Sequence, residues 1–169
     1  GGSYSVSLSV ENSQGNDFTT FTVDVEQDDN FPKVVYYENF EDGFGGWDVE
    51  NSDNSIGWEI ASIGGVFGSN AAYVNNYDYD AEGQTDALVS PFFDLSDQAD
   101  IRFSFEYAYC RYNNNLNDQL RVSLSTDGGN TFPNILFFGN ENGSGNFATT
   151  PDNLNAFFPN SATDWCGAG

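Results

Sequence analysis

Glu38, Glu41 and Asp42 fall close together, and carboxylates spaced in this way can serve a hard cation such as calcium, which takes about 6–8 oxygen ligands. The same residues also fit a solvated acidic surface, because 26 Asp and Glu stand against 4 Lys and Arg. Trp47, Trp58, Tyr77, Tyr79, Tyr109 and Tyr112, the last followed by Asn113, Asn114 and Asn115, present flat faces and polar tips suited to stacking on sugar rings. Aromatic residues in period-two strands more often fill a core. Cys110 and Cys166 are the two cysteines. In an oxidising, secreted setting they most simply form one disulfide, the alternatives being two buried free thiols or bonds to cysteines elsewhere.

What the chain lacks narrows its chemistry. It contains no histidine, which removes HExxH zinc sites, Ser-His-Asp and Cys-His nucleophile systems and imidazole bases. Acidic pairs of the kind a glycosidase uses arise by chance in so acidic a chain, so the chain reads as non-catalytic. A net charge of -22 disfavours nucleic acid, which needs clustered Lys and Arg; Lys33, Arg102, Arg111 and Arg121 are scattered. No apolar run approaches the roughly 18 residues of a membrane span. Asp78-Tyr79-Asp80-Ala81-Glu82-Gly83 begins like an EF-hand loop, but Val89 stands where the bidentate carboxylate belongs. Ser125 to Phe132 matches the Asp-box pattern S-x-D-x-G-x-T-[FW]. Its physical content is a turn in which Asp127 accepts backbone N–H bonds.

The elements that must position these residues read as β-strands. Tyr4, Val6, Leu8 and Val10 alternate with small neighbours, as do Phe21, Val23 and Val25 after Gly15, which predicts a hairpin. The acidic stretch 26–30, ending at Phe31-Pro32, reads as a link. Short strands are then expected near 33–38, 56–62, 71–75, 85–90, 101–110, 119–125 and 134–138. The clearest places Ile101, Phe103, Phe105, Tyr107 and Tyr109 on one face. Many short strands separated by Gly, Asn, Asp and Pro clusters make the chain all-β, a sandwich or jelly roll.

Two resemblances refine this. The run Gly2 to Asn12, with Gly15-Asn16-Asp17 and Phe21 to Val25, resembles the last strands of a PKD repeat, a small β-sandwich spacer. Glu38-Asn39-Phe40-Glu41-Asp42-Gly43 with Gly46-Trp47, Gly57 to Ile60, Gly68 to Tyr73, Leu88 to Ser96, Phe103 to Tyr107, and Asp118 to Leu120 through Ser125 to Gly129 resemble MAM-like jelly-roll modules of secreted Bacteroidetes proteins. Together they are similar to the C-terminal part of cytophagalysin-type, pappalysin-like zinc metalloproteases and adhesins. The resemblance implies a PKD-like end over 1–27 and a jelly-roll β-sandwich over 28–169, the latter expected to continue past Trp165-Cys166-Gly167 with further strands. It also implies a secreted or cell-surface location and a structural calcium on Glu41 and Asp118, helped by Asn70, Asp42 or Asp86. The expected role is an accessory or adhesion module that binds an extracellular protein or glycan, or docks on neighbouring domains of its parent. The alternative is a carbohydrate-binding module using Trp47, Trp58, Tyr77, Tyr79 and Tyr112.

Overall fold

A computed structural model gives an all-β chain of small antiparallel ladders. It describes residues 2–12, 15–25, 34–64, 68–113, 116–142 and 146–166. The link expected at 26–30, with Phe31, Pro32 and Lys33, lies outside the described residues, as do Asn114, Asn115 and Gly167. The chain divides into two compact units, Gly1–Tyr37 and Glu38–Gly169.

The first unit holds the hairpin of β1 (Gly2–Asn12) and β2 (Gly15–Val25), paired from Gly2↔Val25 to Asn12↔Gly15. Directly opposed residues share a face in such a pair. The Ser3 hydroxyl accordingly donates to the Asp24 carboxylate opposite it, and Tyr4 stands opposite Val23 with both side chains exposed.

The second unit contains three two-stranded antiparallel ladders. Strand β3 (Asp48–Asn51) pairs with β6 (Asp86–Val89), and β4 (Glu59–Ala61) pairs with β5 (Ala71–Tyr73). Strand β7 (Gln119–Leu124) pairs with β8 (Asn134–Asn140), with a bulge between Val122 and Ser123. A 3-10 turn, Ala162–Asp164, is capped by Ser161. Among the described residues no helix is long and apolar enough to cross a membrane.

Two expected strands are corrected. The segment 101–110 forms no ladder strand, and among the described residues it joins its neighbours through two isolated bridges, Tyr107↔Cys166 and Cys110↔Thr150. Alternation fixes which side chains share a face; a ladder additionally needs a partner backbone in register. Residues 34–38 likewise form no ladder. Conversely β3 escaped notice, because Asp48, Glu50 and Asn51 surround a single apolar residue, Val49. What holds β3 is its full register with β6, from Asp48↔Val89 to Asn51↔Asp86.

The best-packed region gathers around Phe147, which is buried. Tyr109 stacks on it at 4.2 Å and Tyr107 reaches it at 6.2 Å. Phe105 contacts Tyr107, and Phe137 of β8 packs edge-on to Phe105 at 5.4 Å. Gly139 makes this possible: a Cβ there would lie 2.7 Å from Phe147 Cγ. The segment 101–110 is thus seated on β8 by ring packing, while Thr149 N donates to Tyr109 O at 2.8 Å and ties it to the following loop.

Candidate functional site

The acidic residues singled out in the sequence are distributed over three separate arrangements. In the first, Glu41 clamps the turn at 68–70. Its Oε1 accepts from Asn70 N (2.6 Å) and Ser69 N (2.7 Å), and its Oε2 accepts from Ser69 Oγ (3.1 Å). The Asn70 amide, chiefly, holds the Glu41 carboxyl below its ordinary range, against the opposing effect of burial. Gly68 is required by the close approach, since a Cβ there would fall 2.2 Å from Glu41 Oε1. Asn70 Nδ2 also donates to Glu41 O at 3.4 Å, while its Oδ1 accepts from Ser62 Oγ at 2.7 Å. Glu41 and Asn70 therefore meet, with both carboxylate oxygens engaged by the turn. Asp42 is exposed.

The second arrangement surrounds Tyr109. Its Oη donates to Asp118 Oδ2 at 3.0 Å and to Glu141 Oε1 at 3.1 Å. Glu141 is fully buried. Its Oε2 accepts from Asp118 N at 3.0 Å, and its own N donates to Asp118 O at 3.0 Å, extending the β7–β8 ladder by one position beyond Gln119↔Asn140. Burial first, then the two carboxylates, push the Tyr109 phenol far above its ordinary range. Nearby, Arg111 holds Asp152 with two hydrogen bonds, Nε to Oδ1 at 2.9 Å and Nη2 to Oδ2 at 2.7 Å, and its Nη1 donates to Asn142 Oδ1 at 3.1 Å. A forked ion pair of this kind fixes loop geometry. Glu141 is the residue sequence reasoning missed. Pairing 119 with 140 would have placed it beside Asp118.

In the third arrangement, Tyr79 Oη donates to Asp53 Oδ2 at 2.9 Å, with the Asp86 carboxylate nearby. Burial, followed by these two acids, raises the Tyr79 phenol strongly. Trp58 Nε1 donates to Asp86 O at 3.2 Å. Asp86, grouped with Glu41 and Asp118 in the sequence, instead faces Asn51 across the β3–β6 ladder. Among the described residues, no three His, Cys, Asp or Glu side chains gather as a metal-holding group.

The aromatic residues separate by exposure. Trp47 packs edge-on to Phe40 at 5.8 Å, and both Trp47 and Trp58 are half-buried. Tyr79 is half-buried over Asp53. Tyr77 and Tyr112 form an exposed edge-to-face pair at 5.9 Å, with relative exposures of 51% and 38%.

The expected disulfide is a correction: Cys110 and Cys166 are both free thiols. Cys110 Sγ contacts Pro151 O at 3.2 Å. Cys166 is held through its backbone to Tyr107, its N donating to Tyr107 O at 2.8 Å, and its thiol lies against the Tyr107 phenol, which burial and this contact push up to about 12. The two cysteines thus occupy different bridges of the same segment.

The Asp-box segment is a turn. Asp127 Oδ1 accepts from Thr131 N (2.9 Å) and Ser125 Oγ (2.7 Å), and Oδ2 from Thr131 Oγ1 (2.6 Å). The Thr131 bonds, most of all, lower the Asp127 carboxyl to about 2. Compared with family models, curated proteins and solved structures, the chain matches none.

Proposed function

We propose that the chain is a non-catalytic accessory or adhesion module of a secreted or cell-surface protein, a jelly-roll sandwich following the end of a PKD-like repeat, stabilised by calcium and docking an extracellular partner. The observation that carries this reading is an apolar strip reaching into solvent. Ile101 and Phe103 are each 57% exposed, and the Phe103 ring packs on Phe105, which in turn packs on Phe137 of β8. Ile135, Leu136 and Phe138 on the same strand are exposed as well. Exposed apolar surface of this extent marks interaction sites, and an open strand edge accepts an added strand. The lack of histidine supports a binding role over catalysis. The test is binding of the labelled chain to extracellular matrix proteins, to intact cells and to candidate neighbouring domains, with a Phe103→Asp, Ile135→Asp double variant as control. Saturable binding lost in that variant supports the reading. No binding to any of the three overturns it.

A second reading, carbohydrate binding, is favoured by the exposed Tyr77–Tyr112 pair. Co-sedimentation with a panel of insoluble polysaccharides separates the two readings.

A further inference from the structure

Asn51 Oδ1 and Asp86 Oδ1 are both inaccessible to solvent, and neither has a hydrogen-bond partner. The two residues stand directly opposite each other in the antiparallel β3–β6 pair, so their side chains leave the same face about 4.5–5.5 Å apart at Cβ. Two buried acceptors side by side, one of them on a carboxylate, lack the donor or cation that burial of such atoms demands. The Asn51 amide is oriented by Nδ2 donating to Ser55 O at 2.9 Å. Its oxygen is thus the end of the amide left unpaired.

Tyr79 brings a second carboxylate to this point. Its phenol donates to Asp53 Oδ2 at 2.9 Å, with the Asp86 carboxylate nearby, and Asp53 Oδ1 is steadied by Ser55 N at 2.9 Å, the residue whose carbonyl holds Asn51. Each Asp53 oxygen accepts one hydrogen bond there and retains a lone pair. The ion pair Arg111–Asp152 uses a cation elsewhere, and a chain of net charge -22 offers four basic residues in all. A water could donate to both orphaned oxygens, but it would leave two adjacent carboxylates uncompensated. A cation answers both needs. The donors are all hard oxygens, which select calcium or magnesium over softer metals. An open depression of about 310 Å³, lined by Asn51, Ser55, Gly57, Trp58, Glu59 and Asn75, adjoins the cluster and leaves room for the waters that fill out the irregular sphere of calcium.

We propose that Asn51 Oδ1, Asp86 Oδ1 and the Asp53 carboxylate bind a calcium ion, with Tyr79 positioning Asp53. The site differs from the one expected at Glu41 and Asp118, where both Glu41 oxygens accept from the 68–70 turn and Asp118 Oδ2 accepts from Tyr109. It does not depend on the docking of a partner, so partner capture and cation binding can fail separately. Ion binding would pin the β3–β6 ladder to the loop carrying Tyr79.

The test uses the full 169-residue chain. Terbium, a calcium-sized luminescent probe, is titrated with excitation of the three tryptophans, of which Trp58 bonds through its indole to Asp86 O, and is then displaced with calcium. The expected result is sensitised emission that calcium reverses. It should weaken at least tenfold in an Asp53→Asn, Asp86→Asn double variant and persist in Glu41→Gln and Asp118→Asn. Nuclear magnetic resonance of the unaltered chain needs no variant: calcium should move the Asn51 side-chain amide and the Trp58 indole resonances. Calcium that moves the Ser69 and Asn70 amides instead, or no emission from the unaltered chain, overturns the proposal.

Discussion

Tyr109 and Glu141 meet inside the second unit, the phenol donating to the fully buried carboxylate at 3.1 Å while also serving Asp118 at 3.0 Å. One hydroxyl therefore holds two acids together, and its ring covers Phe147 at 4.2 Å. Tyr109→Phe keeps the ring and removes the shared donor. Leaving a buried carboxylate with one fewer donor costs about 1–3 kcal/mol, so urea unfolding of this variant should show a lower midpoint with an unchanged slope. An unchanged midpoint would mean that water replaces the hydroxyl.

Packing at β8 gives a second expectation. A Cβ at Gly139 would stand 2.7 Å from both Cβ and Cγ of Phe147, and that clash is with a buried ring rather than a mobile tip. Overpacking of this kind costs about 1–3 kcal/mol. Gly139→Ala should lower the melting temperature, and Phe147→Leu in the same chain should recover part of the loss. Equal melting temperatures for Gly139→Ala and the unaltered chain would contradict the close approach.

Gly68 differs in a useful way. There the added Cβ would meet the Glu41 carboxylate, 2.2 Å away at Oε1, the far end of a flexible side chain. Gly68→Ala should therefore destabilise by displacing Glu41 from Ser69 and Asn70, and should cost little once Glu41 is already Ala. A double-mutant cycle reads this coupling directly. Additive effects of the two substitutions would show that Gly68 acts on something other than Glu41.

Asp127 sets the pH dependence of its turn. Its carboxyl, ordinarily at 3.8, is lowered to about 2 by Thr131 and Ser125. A depressed folded value means that the stabilisation is complete above the unfolded value and is lost as pH falls through the folded one. The turn should hold at pH 5 and loosen between about pH 4 and pH 2. A carboxyl carbon titration should place the Asp127 midpoint near 2, and Thr131→Val should raise it. A midpoint near 3.8 would contradict the turn geometry.

Much of this architecture was legible in the sequence, and the limits were physical. Alternating residues reported the hairpin β1–β2, and short runs between Gly, Asn, Asp and Pro clusters reported the strands around 59–61, 71–73, 86–89, 119–124 and 134–140. Alternation over 101–110 correctly grouped Phe103, Phe105 and Tyr107, whose rings follow one another at 5.5 and 5.6 Å. It could not report that, among the described residues, the backbone finds isolated bridges rather than a ladder. For the acids, the family resemblance singled out Glu41, Asp118, Asn70, Asp42 and Asp86 as calcium ligands. Their partners depend on register: Asp118 meets Glu141 one step past the β7–β8 ladder, and Asp86 meets Asn51 across β3–β6. A strand as polar as β3 leaves no trace from which that register could be counted.

The cysteines give a chemical check on the fold. Cys110 and Cys166 lie on separate bridges, Cys110 beside Thr150 and Cys166 beside Tyr107, and both are thiols. Thiol titration of the denatured chain without reductant should yield two reactive groups per molecule. In the folded chain the exposed Cys166 should react ahead of the half-buried Cys110, whose sulfur is engaged by Pro151 O. Zero thiols in the denatured chain would mean that the segment at 107–110 sits differently against 150 and 166, since both bridges would have to shift to bring the two sulfurs into bonding distance.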